Sequence, residues 1–163
     1  MAFSIAIDGP AGAGKSTIAK ELAKRLSFVY VDTGAMYRAI GLYLIRNQIS
    51  PKDESSVEKA CKEIQISISY EDGVQQVFLN GENVSEEIRK EEVGNMASAG
   101  AKNQKVREKL VELQRELASK ADVVMDGRDI GTCVLPNANV KIYLTASVHT
   151  RAVRRYQEYL AKG

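Results

Sequence analysis

The chain has 163 residues, 44% of them hydrophobic and 27% charged, which is typical of one globular domain with a small insertion. Its 23 basic and 21 acidic residues are well mixed, so the net charge of +2 gives no reason to expect nucleic acid or an anionic membrane as a partner. No apolar run is long enough for a transmembrane helix, and the opening residues are too short for a signal peptide, so the sequence predicts a cytoplasmic protein.

The first predicted elements are a short buried strand, FSIAID, over residues 3–8 and a helix over residues 15–26. The predicted apolar face of that helix consists of Ile18, Leu22 and Leu26. Between them lies GPAGAGKST, which matches G-x-x-x-x-G-K-[ST]. The fixed positions of that motif are Gly9, Gly14, Lys15 and Ser16.

A strand, a glycine-rich loop and a helix in this order point backbone N–H groups at a phosphate, at the positive end of the helix dipole. In this motif Lys15 supplies a cation for the β- and γ-phosphates, and Ser16 supplies a hydroxyl for Mg²⁺. The alternative is a glycine-rich turn that matches by chance, and the flanking strand and helix argue against it.

The next predicted elements are a strand that ends at Asp32 and a helix from Thr33 to about Asn47. The apolar stripe of this helix is Met36, Ile40, Tyr43 and Leu44. A further helix is predicted near residues 55–64, after the break at Pro51. On that helix Cys61 shares a face with Val57 and Ile64, so core packing is its predicted role. Cys133 has no metal-type spacing to Cys61, and both are predicted to be reduced thiols.

The period of hydrophobicity then changes from helical to alternating, in IQISISY and VQQVFLN. Asp72-Gly73 between these runs predicts a two-residue hairpin turn, and Asn80-Gly81 predicts a second turn before a short segment around Val84. Residues 64–84 are therefore predicted to form a small antiparallel sheet inserted into an α/β chain.

The remaining elements alternate between helix and strand. Helical structure restarts at Ser85, and a longer helix is predicted over residues 104–120 with Val106, Leu110, Leu113 and Leu117 inward. VVMD (123–126) and VKIYLTA (140–146) are predicted as short buried strands, before a last helix over residues 147–162. Alternating strands and helices predict a parallel sheet with helices on both faces, whose ligand lies at the carboxyl ends of the strands. Asp8-Gly9, Asp32-Thr33 and Asp126-Gly127 lie at such ends.

DTGAMYR and DGRDIGT each place an acid and an arginine just after a strand. A guanidinium group binds phosphate through two parallel hydrogen bonds, so Arg38 and Arg128 are predicted to hold an anion. The alternative is that they form ion pairs with Asp32 or Asp129, which leaves two arginines at the mouth of a phosphate site unexplained.

The combination of DGPAGAGKST, VDTGAMYR, GENVSEEIR, DGRDIGT and VKIYLTAS resembles the bacterial cytidylate kinases, a family of P-loop nucleoside monophosphate kinases. The resemblance runs from Ala6 to the end of the chain, and the inserted sheet is similar to the enlarged monophosphate-binding region of that family. It implies that ATP and Mg²⁺ are the cofactors and that CMP and dCMP are phosphorylated to CDP and dCDP. It also implies a P-loop core over residues 1–33 and 121–163, with a monophosphate-binding region over residues 34–120.

The resemblance also implies roles for single residues. The ATP phosphates would be held by Gly9, Pro10, Ala11, Gly12, Ala13, Gly14, Lys15, Ser16 and Thr17. The acceptor nucleotide would be held by Asp32, Thr33, Arg38, Ser98, Arg107, Arg128 and Asp129. The catalytic residues would be Lys15, Arg38 and Arg128, with Ser16 and, through water, Asp126 at Mg²⁺. Cytosine offers an amine donor and O2/N3 acceptors, which suit Asp129 and Arg107.

Some alternatives stay open at the sequence level. Arg107 also fits a solvated helix position, and Arg151, Arg154 and Arg155 fit either the ATP site or a solvated basic face. His149 is predicted to lie on the surface, since an anionic acceptor needs no general base. Three competing hypotheses are a kinase for another nucleotide, a GTP-dependent switch and an inactive nucleotide-binding fragment. The sequence has no N-K-x-D motif for guanine, which argues against the GTP-dependent switch.

Kinases of this family continue well past the equivalent of Gly163, into a mobile lid and a last strand with its helices. Neither the lid nor this part of the core is present in the sequence, which fits either a part of a longer chain or a truncated protein. A 163-residue product is therefore expected to bind nucleotide weakly and to transfer phosphate poorly, and an apolar sheet edge is expected where the last strand would pair. The protein is predicted to act as a monomer.

Overall fold

The computed structural model describes residues 2–162, which form an α/β arrangement with two sheets. The strands are β1 (Ser4–Asp8), β2 (Val29–Asp32), β3 (Ile66–Glu71), β4 (Val74–Leu79), β5 (Glu82–Asn83), β6 (Val123–Gly127) and β7 (Val140–Tyr143). The helices are α1 (Lys15–Leu26), α2 (Thr33–Arg46), α3 (Glu54–Glu63), α4 (Glu91–Gly100), α5 (Gln104–Lys120) and α6 (Val148–Lys162). Two compact units are present: a first unit of the residues up to Val31 and from Leu117 onward, and a second unit, Asp32–Glu116.

The larger sheet has the strand order β2-β6-β1-β7. β1 pairs in parallel with β6, from Ser4 opposite Val123 to Asp8 opposite Gly127, and in parallel with β7 on its other side. Its central strands are buried, with Ile7 and Val124 inaccessible to solvent. The predicted α/β class with a parallel sheet is confirmed, and the carboxyl ends of β1 and β6 lie side by side.

α1 has the predicted bounds, but of the predicted apolar face only Leu22 packs against the core. Ile18 and Leu26 are 44% and 43% exposed, whereas Ala19 and Ala23 are buried against the core formed with Ile5, Ile7 and Val124. Small side chains let the helix backbone approach the sheet closely, and the larger residues are left at the margin of the contact.

β7 lies at the edge of the sheet and is mostly exposed, so its predicted burial is wrong. Val140 and Tyr143 are 39% and 72% exposed, which confirms an apolar edge on the described part of the sheet. β7 also ends at Tyr143 rather than at position 146, and α2 and α3 each end one residue before the predicted position. The helical structure predicted to restart at Ser85 is a 3₁₀ turn over Glu87–Arg89 followed by α4, whose bounds the sequence did not predict. The π-helical turn over Ile130–Val134 was not predicted.

The second unit is built around α2, whose predicted stripe is largely confirmed. Met36, Ile40 and Leu44 are at most 1% exposed. A Cβ atom added at Gly41 would lie 2.8 Å from the backbone nitrogen of Ala97, so α2 and α4 meet at backbone distance. On α5, Val106 and Leu110 are buried as predicted, and Gln114 is buried as well and donates to the sulfur of Met36 at 3.7 Å.

The smaller sheet has the order β3-β4-β5 with antiparallel pairing. Its first turn has φ values of 51° at Asp72 and 77° at Gly73, as a type I′ hairpin requires, so the predicted insertion is confirmed. The third strand is Glu82–Asn83 and precedes the predicted Val84, which is buried and donates its N–H to the carbonyl of Val77. None of the described helices is both long enough and apolar enough to cross a membrane.

Candidate functional site

The glycine-rich segment over residues 9–17, named here the phosphate loop, connects the buried strand β1 to α1. A Cβ atom added at Gly9 would lie 2.0 Å from the carbonyl oxygen of Leu144, the residue after β7, so only glycine allows this approach. Gly14 has a left-handed φ of 89°, and no described side chain caps the helix that begins at Lys15. The backbone N–H groups of the first turn of α1 are therefore directed toward the loop, as in anion-binding helix N-termini.

A cavity of about 350 Å³ opens beside this loop. It is lined by Gly9, Pro10, Ala11, Arg128, Tyr143 and Arg151. The structure therefore brings Arg128 together with the phosphate loop, as the positions of both after neighbouring strands predict. Lys15 lies at the same loop, where its Nζ donates to the carbonyl of Pro10 at 3.3 Å.

Two of the three arginines on α6 contact the phosphate loop. Arg154 donates from Nη1 to the carbonyl of Gly12 at 2.9 Å, and the Cβ of Arg151 lies 3.1 Å from where a Cβ on Gly12 would be. Nε of Arg151 is buried without a hydrogen-bond partner among the described residues. Arg155 instead bonds to Glu158 on its own exposed helix face, and His149 is exposed as predicted.

Asp8 is a site residue that sequence reasoning left without a role. Its carboxylate is buried and accepts N–H bonds from Ile130 and Gly131, each at 2.7 Å. These two residues directly follow Arg128 and Asp129, so the carboxylate fixes the loop that carries both. The only sequence signal is an acidic residue at the end of a buried strand, which does not identify its partners.

Asp126, predicted near Mg²⁺, is buried at the end of β6 and accepts a hydrogen bond from the hydroxyl of Tyr30 at 3.1 Å. Ser16 is exposed in the first turn of α1. No group of three or more His, Cys, Asp or Glu side chains in residues 2–162 forms a metal cage. Mg²⁺ in phosphoryl-transfer sites binds mainly to phosphate and water with one or two protein ligands, so Ser16 and Asp126 fit such an ion.

In the second unit, Asp32 caps α2 by accepting the N–H of Ala35 at 3.3 Å. The side-chain amide of Gln75, on β4, pairs with the backbone of Asp32: the N–H of Asp32 donates to Oε1 at 2.9 Å, and Nε2 donates to the carbonyl at 3.2 Å. The inserted sheet thereby fixes the turn that leads into Thr33, which is buried. Sequence reasoning predicted Asp32 and Thr33 but gave no role to Gln75.

Arg38 of α2 and Ser98 of α4 both contact Gly94, which is also in α4. Arg38 donates from Nη1 to the carbonyl of Ile88 at 2.8 Å, and its guanidinium lies against Gly94. The hydroxyl of Ser98 donates to the carbonyl of Gly94 at 3.1 Å. The structure thus brings these two predicted residues together around one glycine, while Arg107 lies exposed on α5 and Asp129 lies in the first unit.

Charged side chains fix the far end of α2. Arg46 donates to Glu82 at 2.7 Å and also bonds to Glu87, which connects the helix to β5 and to the 3₁₀ turn Glu87–Arg89. The hydrogen bond from Arg46 lowers the pKa of Glu82. Tyr43 donates to Glu63 of α3 at 2.9 Å, and this bond raises the pKa of the phenol.

The two cysteines occupy different environments, and neither is in a disulfide. Cys61 is buried beside Val57 on α3, as predicted, and burial raises the pKa of its thiol. Cys133 is exposed on the π-helical turn, where its backbone N–H donates to the carbonyl of Asp129 at 2.9 Å.

Comparison with known proteins gives one consistent match. The family model for cytidylate kinase matches residues 5–163. A cytidylate kinase of Caldicellulosiruptor bescii is 54% identical over 161 residues, which are 99% of this chain and 71% of that protein. Cytidylate kinases of Bacillus thuringiensis and Bacillus cereus are each 53% identical, over 99% of this chain and 72% of theirs. The chain is therefore shorter than these relatives.

Proposed function

The chain belongs to the cytidylate kinase family, and we propose that it transfers the γ-phosphoryl group of ATP to CMP and dCMP, giving CDP and dCDP. The observation that carries the proposal is the cavity shared by Gly9, Pro10 and Ala11 of the phosphate loop with Arg128. A donor phosphate and an acceptor phosphate have to meet in such a place for direct transfer.

Residues 9–17 hold the ATP phosphates in this proposal, with Lys15 at the β- and γ-phosphates. The uncapped start of α1 and the buried, unpaired Nε of Arg151 at the cavity wall both fit a polyanion. Mg²⁺, held by Ser16 and through water by Asp126, supplies charge neutralisation at the β- and γ-phosphates when bound.

Arg38 and Arg128 hold the phosphate of CMP in this proposal. Asp32, Thr33, Ser98, Arg107 and Asp129 bind or position the nucleotide. Cytosine presents an amine that a carboxylate accepts and ring acceptors that a guanidinium satisfies. Uracil carries a carbonyl oxygen in place of the amine and leaves the carboxylate acceptor unpaired, which discriminates against UMP.

The reaction needs little covalent work from the protein. An oxygen of the CMP phosphate forms a bond to the γ-phosphorus while the bond from that phosphorus to the β,γ-bridging oxygen breaks, and ADP leaves with the electron pair. The acceptor oxygen is already anionic, so no general base is needed. Lys15, Arg38 and Arg128 align the two phosphates and offset the negative charge that would otherwise keep them apart.

The experiment is ADP formation from ATP and Mg²⁺ with CMP, dCMP, UMP, AMP or GMP as acceptor, on material of confirmed mass. Turnover is expected with CMP and dCMP. Lys15→Ala should lower kcat/KM by about 100- to 1,000-fold, the usual effect of removing one group that stabilises transition-state charge. The matched control is Lys24→Ala, an exposed lysine in the last turn of α1, which should leave turnover unchanged.

Turnover with AMP or GMP at the same rate would contradict the cytosine specificity. Absence of turnover with every acceptor would contradict the proposed reaction for this chain, and ATP binding measured in parallel would then separate a nucleotide-binding core from a chain that binds nothing. A cytoplasmic location is part of the proposal, supported by two cysteines that form no disulfide. The monomeric state and the lack of a nucleic-acid or membrane partner stay predictions.

A further inference from the structure

We infer that Gly94 is a positioning residue of the acceptor site: the absence of a side chain at position 94 leaves room for the guanidinium of Arg38. The inference rests on the proposed role of Arg38 at the phosphate of CMP. It adds a residue that has no hydrogen-bonding side chain and that the sequence motifs do not single out.

The contact between Gly94 and Arg38 is closer than any side chain allows. A Cβ atom built on Gly94 would lie 2.9 Å from Nη2, 3.1 Å from Cζ and 3.3 Å from Nη1 of Arg38. All three atoms belong to the planar end of the guanidinium, so this group lies flat against the surface of α4. Even a methyl group at position 94 would push it away.

The guanidinium is also fixed from a second direction. Its Nη1 donates to the carbonyl of Ile88 at 2.8 Å, and Ile88 is buried in the 3₁₀ turn before α4. Arginine has five N–H donors, so one bond to a carbonyl leaves enough for a two-point contact with phosphate. A guanidinium that is held in place before the ligand arrives loses less conformational freedom on binding.

Separating α4 from α2, the helix that carries Arg38, would make room for a side chain at position 94 but would break a close backbone contact. α2 approaches α4 so closely at Gly41 that an added Cβ would be 2.8 Å from the backbone of Ala97 and 3.0 Å from that of Val93. Because separation would lose this packing, whereas the end of a long side chain moves at little cost, the guanidinium of Arg38 is the part expected to shift. A larger residue at position 94 therefore changes the site more than it changes the fold.

Ser98 lies one helical turn after Gly94 and donates its hydroxyl to the carbonyl of that residue. The residue proposed to hold the acceptor phosphate and one proposed to position cytosine are thus arranged along one face of α4, around the glycine. This arrangement assigns α4 as a support for the acceptor nucleotide. It predicts that substitutions at position 94 change the KM for CMP and leave the KM for ATP unchanged.

The test compares two Gly→Ala substitutions within α4. Gly94→Ala removes the space for Arg38. Gly100→Ala is the matched control, because its Cβ would meet Leu44 at an ordinary contact distance of 3.5 Å. Alanine has a higher helix propensity than glycine, so neither variant is expected to lose thermal stability through α4 itself.

Gly94→Ala should raise KM for CMP by about tenfold, the size expected for weakening one charge-assisted contact, and leave KM for ATP within about twofold. Gly100→Ala should leave both KM values near those of the parent. Equal kinetics in the two variants would overturn the inference while leaving the proposed reaction intact. Loss of CMP turnover in the parent would instead count against the proposed reaction.

Two further measurements separate positioning from a general structural effect. If Gly94 acts through Arg38, then Gly94→Ala adds nothing in an Arg38→Ala background, whereas additive effects would overturn the inference. In a crystal structure of Gly94→Ala, Arg38 should have left the carbonyl of Ile88. An unmoved guanidinium would overturn the inference even for a protein without turnover.

Discussion

The two units fix their proposed site residues in different ways. In the first unit the phosphate loop is fixed by a close main-chain approach, in which Gly9 lies against the carbonyl of Leu144. In the second unit the supports are single hydrogen-bonding side chains from distant parts of the sequence, such as Gln75, whose amide bonds to the backbone of Asp32. Main-chain geometry tolerates almost no added atom, whereas side-chain supports can be removed with graded effects.

The largest effect is expected from adding a methyl group to the phosphate loop. Gly9→Ala forces a Cβ atom to within 2.0 Å of a backbone oxygen, so the chain has to shift at the start of the loop. We expect a loss of about 4 kcal/mol or more in the free energy of unfolding, as for other substitutions with severe backbone strain. Urea unfolding of the purified variant measures it.

Gly73→Ala is the matched control for that experiment. Gly73 also has a positive φ, 77°, but an added Cβ would meet no atom within 4 Å. Its cost should be limited to the strain of the left-handed backbone, about 1–2 kcal/mol. If the two variants were equally stable, the contact with Leu144 would not be what restricts position 9.

The next largest effect is expected at the buried carboxylate of Asp8. Asp8→Asn keeps one acceptor and turns an NH₂ group toward a backbone N–H, so about 3 kcal/mol of stability should be lost, given the strength of hydrogen bonds to charged groups. Because the bonded N–H groups follow Asp129, turnover should fall as well.

The control for Asp8 is Asp122→Asn, at an exposed carboxylate that accepts one N–H bond, from Phe3, at 2.7 Å. This variant should be close to the parent in both stability and turnover, since water satisfies an exposed N–H group. A similar loss in the two variants would show that burial of Asp8 adds nothing to its role.

A smaller effect is expected at Gln75 in the second unit. Gln75→Ala removes two hydrogen bonds from the backbone of Asp32, which should cost about 1–2 kcal/mol of stability. KM for CMP should rise several-fold, with KM for ATP unchanged, because Thr33 follows this turn. Gln76→Ala is the control, since Gln76 bonds to Asn83 within the inserted sheet at 3.2 Å. Equal kinetics in these two glutamine variants would argue against a link from the sheet to the acceptor.

The smallest effect is expected at the exposed start of α3, where it depends on pH. Hydrogen bonds from the side chain and backbone of Ser56 and from Ser55 hold the pKa of Asp53 below its ordinary value of 3.8. A lowered folded-state pKa means that the carboxylate stabilises the protein fully above pH 3.8 and loses this contribution as the pH falls through the lower value. Asp53→Ala should therefore lower Tm by a few degrees at neutral pH.

The Tm difference between parent and Asp53→Ala should shrink as the pH is lowered through this range. Thermal unfolding followed by circular dichroism at a series of pH values measures it. Glu58→Gln, on the same helix, is the control without such a cap. A Tm difference that stays constant down to the lowest pH would contradict the role of the ionised cap.

The elements predicted correctly from the sequence depend on local patterns. The bounds of α1 were predicted from the glycine spacing and the helical period, and the hairpin was predicted from Asp72-Gly73. Both predictions were correct because helix ends and tight turns are determined by residues that are neighbours in sequence. The face of α1 was predicted correctly only at Leu22, since the regular spacing of Ile18 and Leu26 does not show that the sheet is approached through Ala19 and Ala23.

The supports of the candidate site could not be predicted because they join distant positions. Gln75 meets a residue 43 positions away, and Asp8 meets one 122 positions away. A glutamine or an aspartate in the sequence does not indicate which distant residue it will bond to. The role of a glycine such as Gly94 is visible only when the side chain packed against it is known. The motif residues themselves were found from sequence, and the roles of Thr33 and Arg107 at cytosine stay predictions.

The different environments of the two cysteines make the unaltered chain suitable for site-specific labelling. A maleimide reagent reacts with thiolates that it can reach, so the exposed Cys133 should be modified while Cys61, buried and with a raised pKa, should react slowly. A fluorophore at Cys133 would be attached to the turn whose backbone bonds to Asp129. It would report on nucleotide arriving at that loop without any engineered cysteine.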